Sequence, residues 1–274
     1  LASEKLKKPA EAEAAYQKLE TTYPQSVQIV PARVQLGILL YKAKKYPQAK
    51  EVLQKVAALT KHQLRPEAQY WLAWVAVNQG NSAVAAGQFG AMADGYPQHE
   101  LAADARLQQG MMLFKAEQYP VAQAALQKFI ADYKAHNQID VATFHLGFSQ
   151  MNQKQWAPAL ANFAKVPAKS DWRDDALYQS AWCEKGAGKK AAAAPHYVAL
   201  LTDFPKSTLA GNATLELAEI NFDAKKLDDV IQSLTAMVAK KPEAKLLASA
   251  QFRLGWAYFE KKNYAEGAKA FEAM

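Results

Sequence analysis

The chain holds 274 residues, half of them apolar and 22% charged, with a formal net charge of +7. That apolar share supports a continuous core and excludes a disordered chain, and no apolar run approaches the ~18 residues that a membrane helix needs. A single cysteine, Cys183, excludes an internal disulfide framework and a cysteine-rich zinc site. The lysines are dispersed instead of massed in one block, which favours acidic surfaces without implying nucleic acid.

The chain opens at a leucine already in a helical pattern, with no basic segment followed by an apolar one, so no targeting peptide is visible. A fragment of a longer protein is expected. Residues 1–29 read as a partial unit closed by Tyr23-Pro24, and residues 30–65 as the first complete helical hairpin. The next, 66–102, is the clearest. Tyr70, Leu72, Ala73 and Ala76 fall at helical spacing, Gln79-Gly80-Asn81 interrupts them, and Val84, Ala85, Gln88, Phe89 and Met92 resume the pattern. Tyr96-Pro97 ends it, because proline cannot continue a helix. Units follow at 103–139, 140–173, 174–210 and 211–247, with a partial one at 248–274. The copy at 174–210 is the cleanest: Ala68, Tyr70, Ala73, Trp74, Gly80, Ala85 and Phe89 reappear as Ala176, Tyr178, Ala181, Trp182, Gly188, Ala193 and Tyr197.

Three columns run through these units. A small residue recurs in the first helix at Gly37, Ala73, Gly110, Gly147, Ala181, Ala218 and Gly255. Another recurs in the second helix at Ala12, Ala49, Ala85, Ala122, Ala159, Ala193, Val230 and Gly267. Four residues later comes a large one: Tyr16, Leu53, Phe89, Leu126, Phe163, Tyr197, Leu234 and Phe271. Small residues let two helices approach, and the large side chain fills the space beside the crossing. Glycine inside a helix costs about 1 kcal/mol against alanine, so its recurrence at one phase predicts a packing requirement.

Leu254-Gly255-x2-Tyr258, and Ala85-x3-Phe89 followed by Pro97, resemble the tetratricopeptide pattern of W-x2-L-G-x2-Y, A-x3-F and P. The resemblance covers essentially the whole chain, departing in its spacing of mostly 36 or 37 residues. It implies an all-α fold, an α-solenoid of antiparallel helix pairs wound into a right-handed superhelix. Links such as Phe204-Pro205-Lys206-Ser207 look like the subgroup found in bacterial envelope proteins, both Tol-Pal-associated repeat proteins and the lipoprotein of outer-membrane barrel assembly. Periplasmic or envelope location is therefore expected, with cytoplasm as the alternative.

A second apolar stripe on the first helices follows i, i+4, i+7 spacing. Its members include Tyr70 and Trp74; Met111 and Phe114; Phe144 and Phe148; Tyr178 and Trp182; Phe222; and Phe252, Trp256 and Phe259. The resemblance implies that such positions line a concave groove. Flat rings give contact area at small entropic cost and suit an apolar or proline-rich segment of a partner protein or peptide. The competing reading buries the same rings as core. Some relatives clamp a C-terminal carboxylate with lysine and asparagine, whereas here Trp74, Trp182 and Trp256 stand at a key asparagine position, leaving only isolated polar residues such as Asn78, Lys115 and Asn152.

Lysines at the turns (Lys44-Lys45, Lys154, Lys189-Lys190, Lys225-Lys226, Lys261-Lys262) either form a basic ridge toward an acidic surface or complement helix dipoles. His62, His99 and His136, spaced by 37 residues, stand too far apart to share one metal ion, successive units lying on the order of 10 Å apart. A structural or surface role is expected for them, and for His145 and His196. Cys183 lies in an apolar column and reads as an inert buried thiol. Lys185-Gly186-Ala187-Gly188-Lys189-Lys190 lacks the spacing and Ser/Thr of a phosphate loop. Asp174-Asp175 and Asp228-Asp229 sit near helix starts and suit dipole compensation.

The residues thus predict a scaffold with no catalytic constellation, cofactor or metal. Its alternative is the helical module of a larger cell-wall enzyme whose catalytic domain lies elsewhere. A third reading, single-stranded RNA recognition, needs base-reading polar residues in each unit, and the apolar stripe argues against it.

Overall fold

The computed structural model describes residues 9–274, so the first eight residues of the opening partial unit lie outside the described residues. Fifteen α-helices and one short 3-10 turn account for the described chain, with no strand among them. They are α1 (Pro9–Thr22), α2 (Ile29–Lys42), α3 (Tyr46–Ala57), α4 (Arg65–Asn78), α5 (Ser82–Gly95), α6 (Ala102–Lys115), α7 (Tyr119–Asp132), α8 (Ile139–Asn152), α9 (Trp156–Lys165), α10 (Arg173–Gly186), α11 (Ala194–Asp203), α12 (Ala210–Asp223), α13 (Leu227–Ala239), α14 (Ala244–Glu260) and α15 (Tyr264–Glu272). The 3-10 turn, Lys190–Ala193, leads into α11. This is an α-solenoid of helix pairs, divided into two compact bodies, one ending at Ser149 and the other starting at Gln150, both within α8.

The packing columns are physical contacts. From Ala49 and Leu53 through Val230 and Leu234, every small residue of the second helices and the large residue four places later is fully buried. The glycines of the first helices face those same large side chains. A methyl group added at Gly37 would run into Leu53, one at Gly110 would come within 2.7 Å of Leu126, and one at Gly255 within 2.6 Å of Phe271. The missing Cβ is what lets each crossing close.

The turn inside each pair repeats a single geometry. Lys44, Gly80, Glu117, Lys154, Gly188, Lys225 and Lys262 all have φ between 56° and 78°. In each case the next residue's N–H reaches back to a carbonyl five residues earlier, as Lys45 N–H does to Leu40 and Asn81 N–H to Ala76. This left-handed cap satisfies carbonyls that the helix end leaves open. Five of the seven positions carry a side chain at a φ that glycine adopts without strain.

The links between pairs also share a geometry, and it explains the histidine spacing. His62, His99 and His136 each accept the N–H of the residue two places on at Nδ1, at 3.1–3.2 Å. Ser26, Ser170 and Ser207 do the same with Oγ, at 3.1–3.2 Å. Histidine and serine are interchangeable here because both place an acceptor a short reach beyond Cβ.

Within the N-terminal body α2 packs on α4, and within the C-terminal body α12 packs on α14. Among the described residues no two second helices pack as closely. Each body therefore curves with its first helices inside. No described helix is long and apolar enough to cross a membrane.

Candidate partner-binding face

The stripe of rings runs along the first helices, and its fate differs between the bodies. In the N-terminal body the rings pack on one another. Tyr70 is 8% exposed and Phe144 2%; Trp74, Met111, Phe114 and Phe148 are half-buried. Phe89 of α5 lies edge-on to Tyr70 at 5.6 Å and to Trp74 at 5.5 Å. Phe114 meets Phe148 at 5.1 Å, His145 at 5.3 Å and Tyr119 at 5.6 Å. Asn78 donates to Tyr41 Oη at 2.9 Å and accepts from Tyr46 Oη at 3.1 Å, so its amide is spent within the fold.

In the C-terminal body four of the stripe positions are more open. Trp182 is 44% exposed, Phe252 48%, Trp256 43% and Phe259 49%. Tyr178 and Phe222 are half-buried, Tyr178 leaning on Tyr197 at 5.7 Å. Phe252 and Trp256 both stand edge-on to Phe271, each at 6.1 Å, which holds them upright. A cleft of about 410 Å³ opens between α12 and α14, lined by Ala218, Phe222, Val230, Phe252 and Trp256 with Glu219, Arg253 and Glu260.

Charge around this cleft is internally matched. Lys190 donates to Glu219 at 2.7 Å and to Asp223 at 2.6 Å, Arg253 to Glu219 at 2.9 Å, and Lys225 to Glu260 at 3.1 Å. The hydrogen bond from Lys190, then that from Arg253, holds the Glu219 carboxyl below the usual carboxylate range. The Lys190 ammonium is correspondingly raised by Asp223 and Glu219. Lys185 pairs with Glu216 and also lies 5.0 Å from the Trp182 ring centre, a cation–π contact.

Several of the turn lysines are held in ion pairs: Lys45 with Glu13 at 2.9 Å, Lys190 and Lys225 as above, and Lys261 with Asp228. Lys44, Lys154, Lys189, Lys226 and Lys262 remain exposed at the turns. Cys183 is buried and its thiol is pushed up to about 12 by desolvation. His145 is driven down to about 4 by burial alone, and burial also lowers His196. Asp174 accepts from the N–H of Asp175 at 3.0 Å and from Ser207 Oγ at 2.6 Å, a link-stabilising role.

Periodicity alone missed one set of rings. Tyr46, Tyr119 and Tyr264 open second helices and lean across the turn onto a ring near the end of the first helix, Tyr41–Tyr46 at 5.8 Å, Phe114–Tyr119 at 5.6 Å and Phe259–Tyr264 at 5.4 Å. Their recurrence at the first helical position was the available signal. Glu219 and Arg253 escaped notice because their charges interrupt the apolar stripe.

Comparison with known proteins agrees with this architecture. A tetratricopeptide repeat model matches residues 1–26, 32–59 and 249–274. The crystal structure of YrrB, described as a TPR protein with an unusual peptide-binding site, is similar at a TM-score of 0.59 and 20% identity, over 73% of this chain and 97% of that one. A tetratricopeptide repeat protein from Parabacteroides merdae is similar at a TM-score of 0.57 and 13% identity, over 91% of this chain and 94% of that one. MamA gives a TM-score of 0.58 at 16% identity, over 66% and 94%. At these identities the likeness shows the fold. The search of curated proteins returned no match. The model of an outer membrane lipoprotein family, YfiO, matches residues 62–223, more than half of the chain. A chain of tetratricopeptide-like helix pairs carrying that match belongs to the YfiO outer membrane lipoprotein family.

Proposed function

We propose that the chain is a non-enzymatic scaffold that holds an apolar peptide or helix of a partner protein on the inner face of its first helices, within an assembly of the bacterial envelope. Tetratricopeptide repeats are protein-interaction modules, and the family supports the envelope setting. The observation that carries the reading is the row of half-exposed rings Trp182, Phe252, Trp256 and Phe259 on packed helices. Large aromatic side chains held upright in a folded scaffold act as anchors for a partner. Tyr70 and Phe144 support that face from within the packed interior.

The test is capture of partners from an envelope extract by the wild-type chain and by the Trp182→Ala/Trp256→Ala double variant. The expected result is loss of the captured partner with unchanged helicity by circular dichroism. Equal capture by both chains would remove the rings from the binding face.

A further inference from the structure

We propose that the cleft between α12 and α14 is a socket for one bulky aromatic side chain, a tryptophan or phenylalanine, presented by an uncharged stretch of a partner polypeptide. This deepens the scaffold reading and rests on it. The residue that follows the small position of each first helix runs Ile38, Trp74, Met111, Phe148, Trp182, Glu219 and Trp256. Six of these are large apolar side chains, and the seventh is a carboxylate. The repeat therefore lacks one large apolar side chain, between Trp182 and Trp256.

Glu219 does not fill the vacancy, because Lys190 at 2.7 Å and Arg253 at 2.9 Å hold its carboxylate in ion pairs. What remains is the cleft of about 410 Å³, floored by Ala218 and Val230 and walled by Phe222, Phe252 and Trp256. Its size lies in the range of small-molecule and side-chain sites. The N-terminal body shows the filled alternative, where Trp74 occupies the same column and packs on Phe89 at 5.5 Å.

The chemistry of the occupant follows from the walls. Ring edges and faces already fixed in T-shaped pairs favour an aromatic guest over an aliphatic one or a proline. Glu219, Asp223 and Glu260 are each paired with Lys190, Arg253 or Lys225. A charged guest would lose its hydration and find no unpaired counter-charge. Because the partner's ring enters a preformed site, little ordering cost is added on binding.

The test uses the 15N-labelled chain and an acetylated, amidated alanine–glycine heptapeptide with tryptophan at its centre, against the same peptide with leucine, proline or glutamate there. Indole N–H resonances report where it binds. The expected result is a shift of Trp256, the one tryptophan lining the cleft, that saturates at least about ten-fold tighter for the tryptophan peptide, with little dependence on salt. Glu219→Phe supplies a large apolar side chain in cis and should abolish binding at retained helicity; Trp256→Ala should weaken it at least about ten-fold, covering the case where Glu219→Phe does not fold.

Peptide shifts at Trp71 and Trp74 instead, or undiminished binding by folded Glu219→Phe, overturn the socket and leave the scaffold reading standing. So does a self-association lost in Trp256→Ala, since the occupant is then a second copy. Failure of every peptide overturns the socket; if capture from extract also proves independent of Trp182 and Trp256, the scaffold reading falls with it.

Discussion

The two bodies carry the same stripe at the same spacing, yet its rings on α4, α6 and α8 are more covered than Trp182 of α10 and the three rings of α14. In the N-terminal body Phe89 sits against both Tyr70 and Trp74, and Phe148 and Tyr119 flank Phe114. In the C-terminal body Phe271 sits against Phe252 and Trp256, while beside Trp182 and Trp256 stand Lys185, paired with Glu216, and Glu219, paired with Lys190 and Arg253. An aromatic stripe becomes core or surface according to how far the surrounding helices close over it, and its own periodicity does not distinguish the outcomes.

The largest expected effect that would break this contrast concerns stability. Tyr70→Ala removes a buried ring and should cost about 3–5 kcal/mol in urea denaturation. Trp256→Ala, at a half-exposed site, should cost about 1 kcal/mol or less. Equal losses would mean that both stripes are core.

Acid unfolding sharpens the same point. His145 lies among Phe114 and Phe144 at 5.3 and 5.4 Å, and burial drives it to about 4 from 6.5. The folded state therefore binds this proton less readily than the unfolded chain. Its stability is full above about pH 6.5 and falls as the pH drops toward 4, by on the order of 3 kcal/mol. In His145→Phe that part of the acid sensitivity should vanish from pH-dependent denaturation curves.

In the C-terminal body, Tyr197 occupies the large-residue column with its hydroxyl buried and without a hydrogen-bond partner. Burial correspondingly raises the phenol above its ordinary value. Tyr197→Phe should leave the chain as stable or about 1 kcal/mol more stable, and thermal unfolding would reveal it. A clear loss of stability would show that the hydroxyl is satisfied. The smallest effect belongs to the turns. Lys225→Gly relieves a left-handed backbone and should raise stability by roughly 0.5–1 kcal/mol, whereas Gly188→Ala should lower it by a similar amount in the same assay.

The repeat architecture was legible in the amino-acid sequence because a solenoid unit contacts mainly its neighbours, so every crossing needs the same small and large partners. Gly37 with Leu53, Gly110 with Leu126 and Gly255 with Phe271 are columns in the sequence and contacts in space. The turns and links were less visible. Lysine, glutamate and glycine all occupy the left-handed position, and histidine and serine both cap the link, so a shared backbone geometry is written in unlike residues.

The candidate face was legible only in part. The sequence by itself determined that apolar rings recur on the first helices, since helical phase places them along one side. Tertiary structure alone decided which of them remain available. Exposure is not set by the paired ring alone. Phe89 sits against Tyr70 and Trp74 as Phe271 sits against Phe252 and Trp256, yet Tyr70 is buried and Phe252 and Trp256 are exposed. It depends on how far the surrounding helices close over each ring. That closure lies beyond the reach of any single helix's pattern.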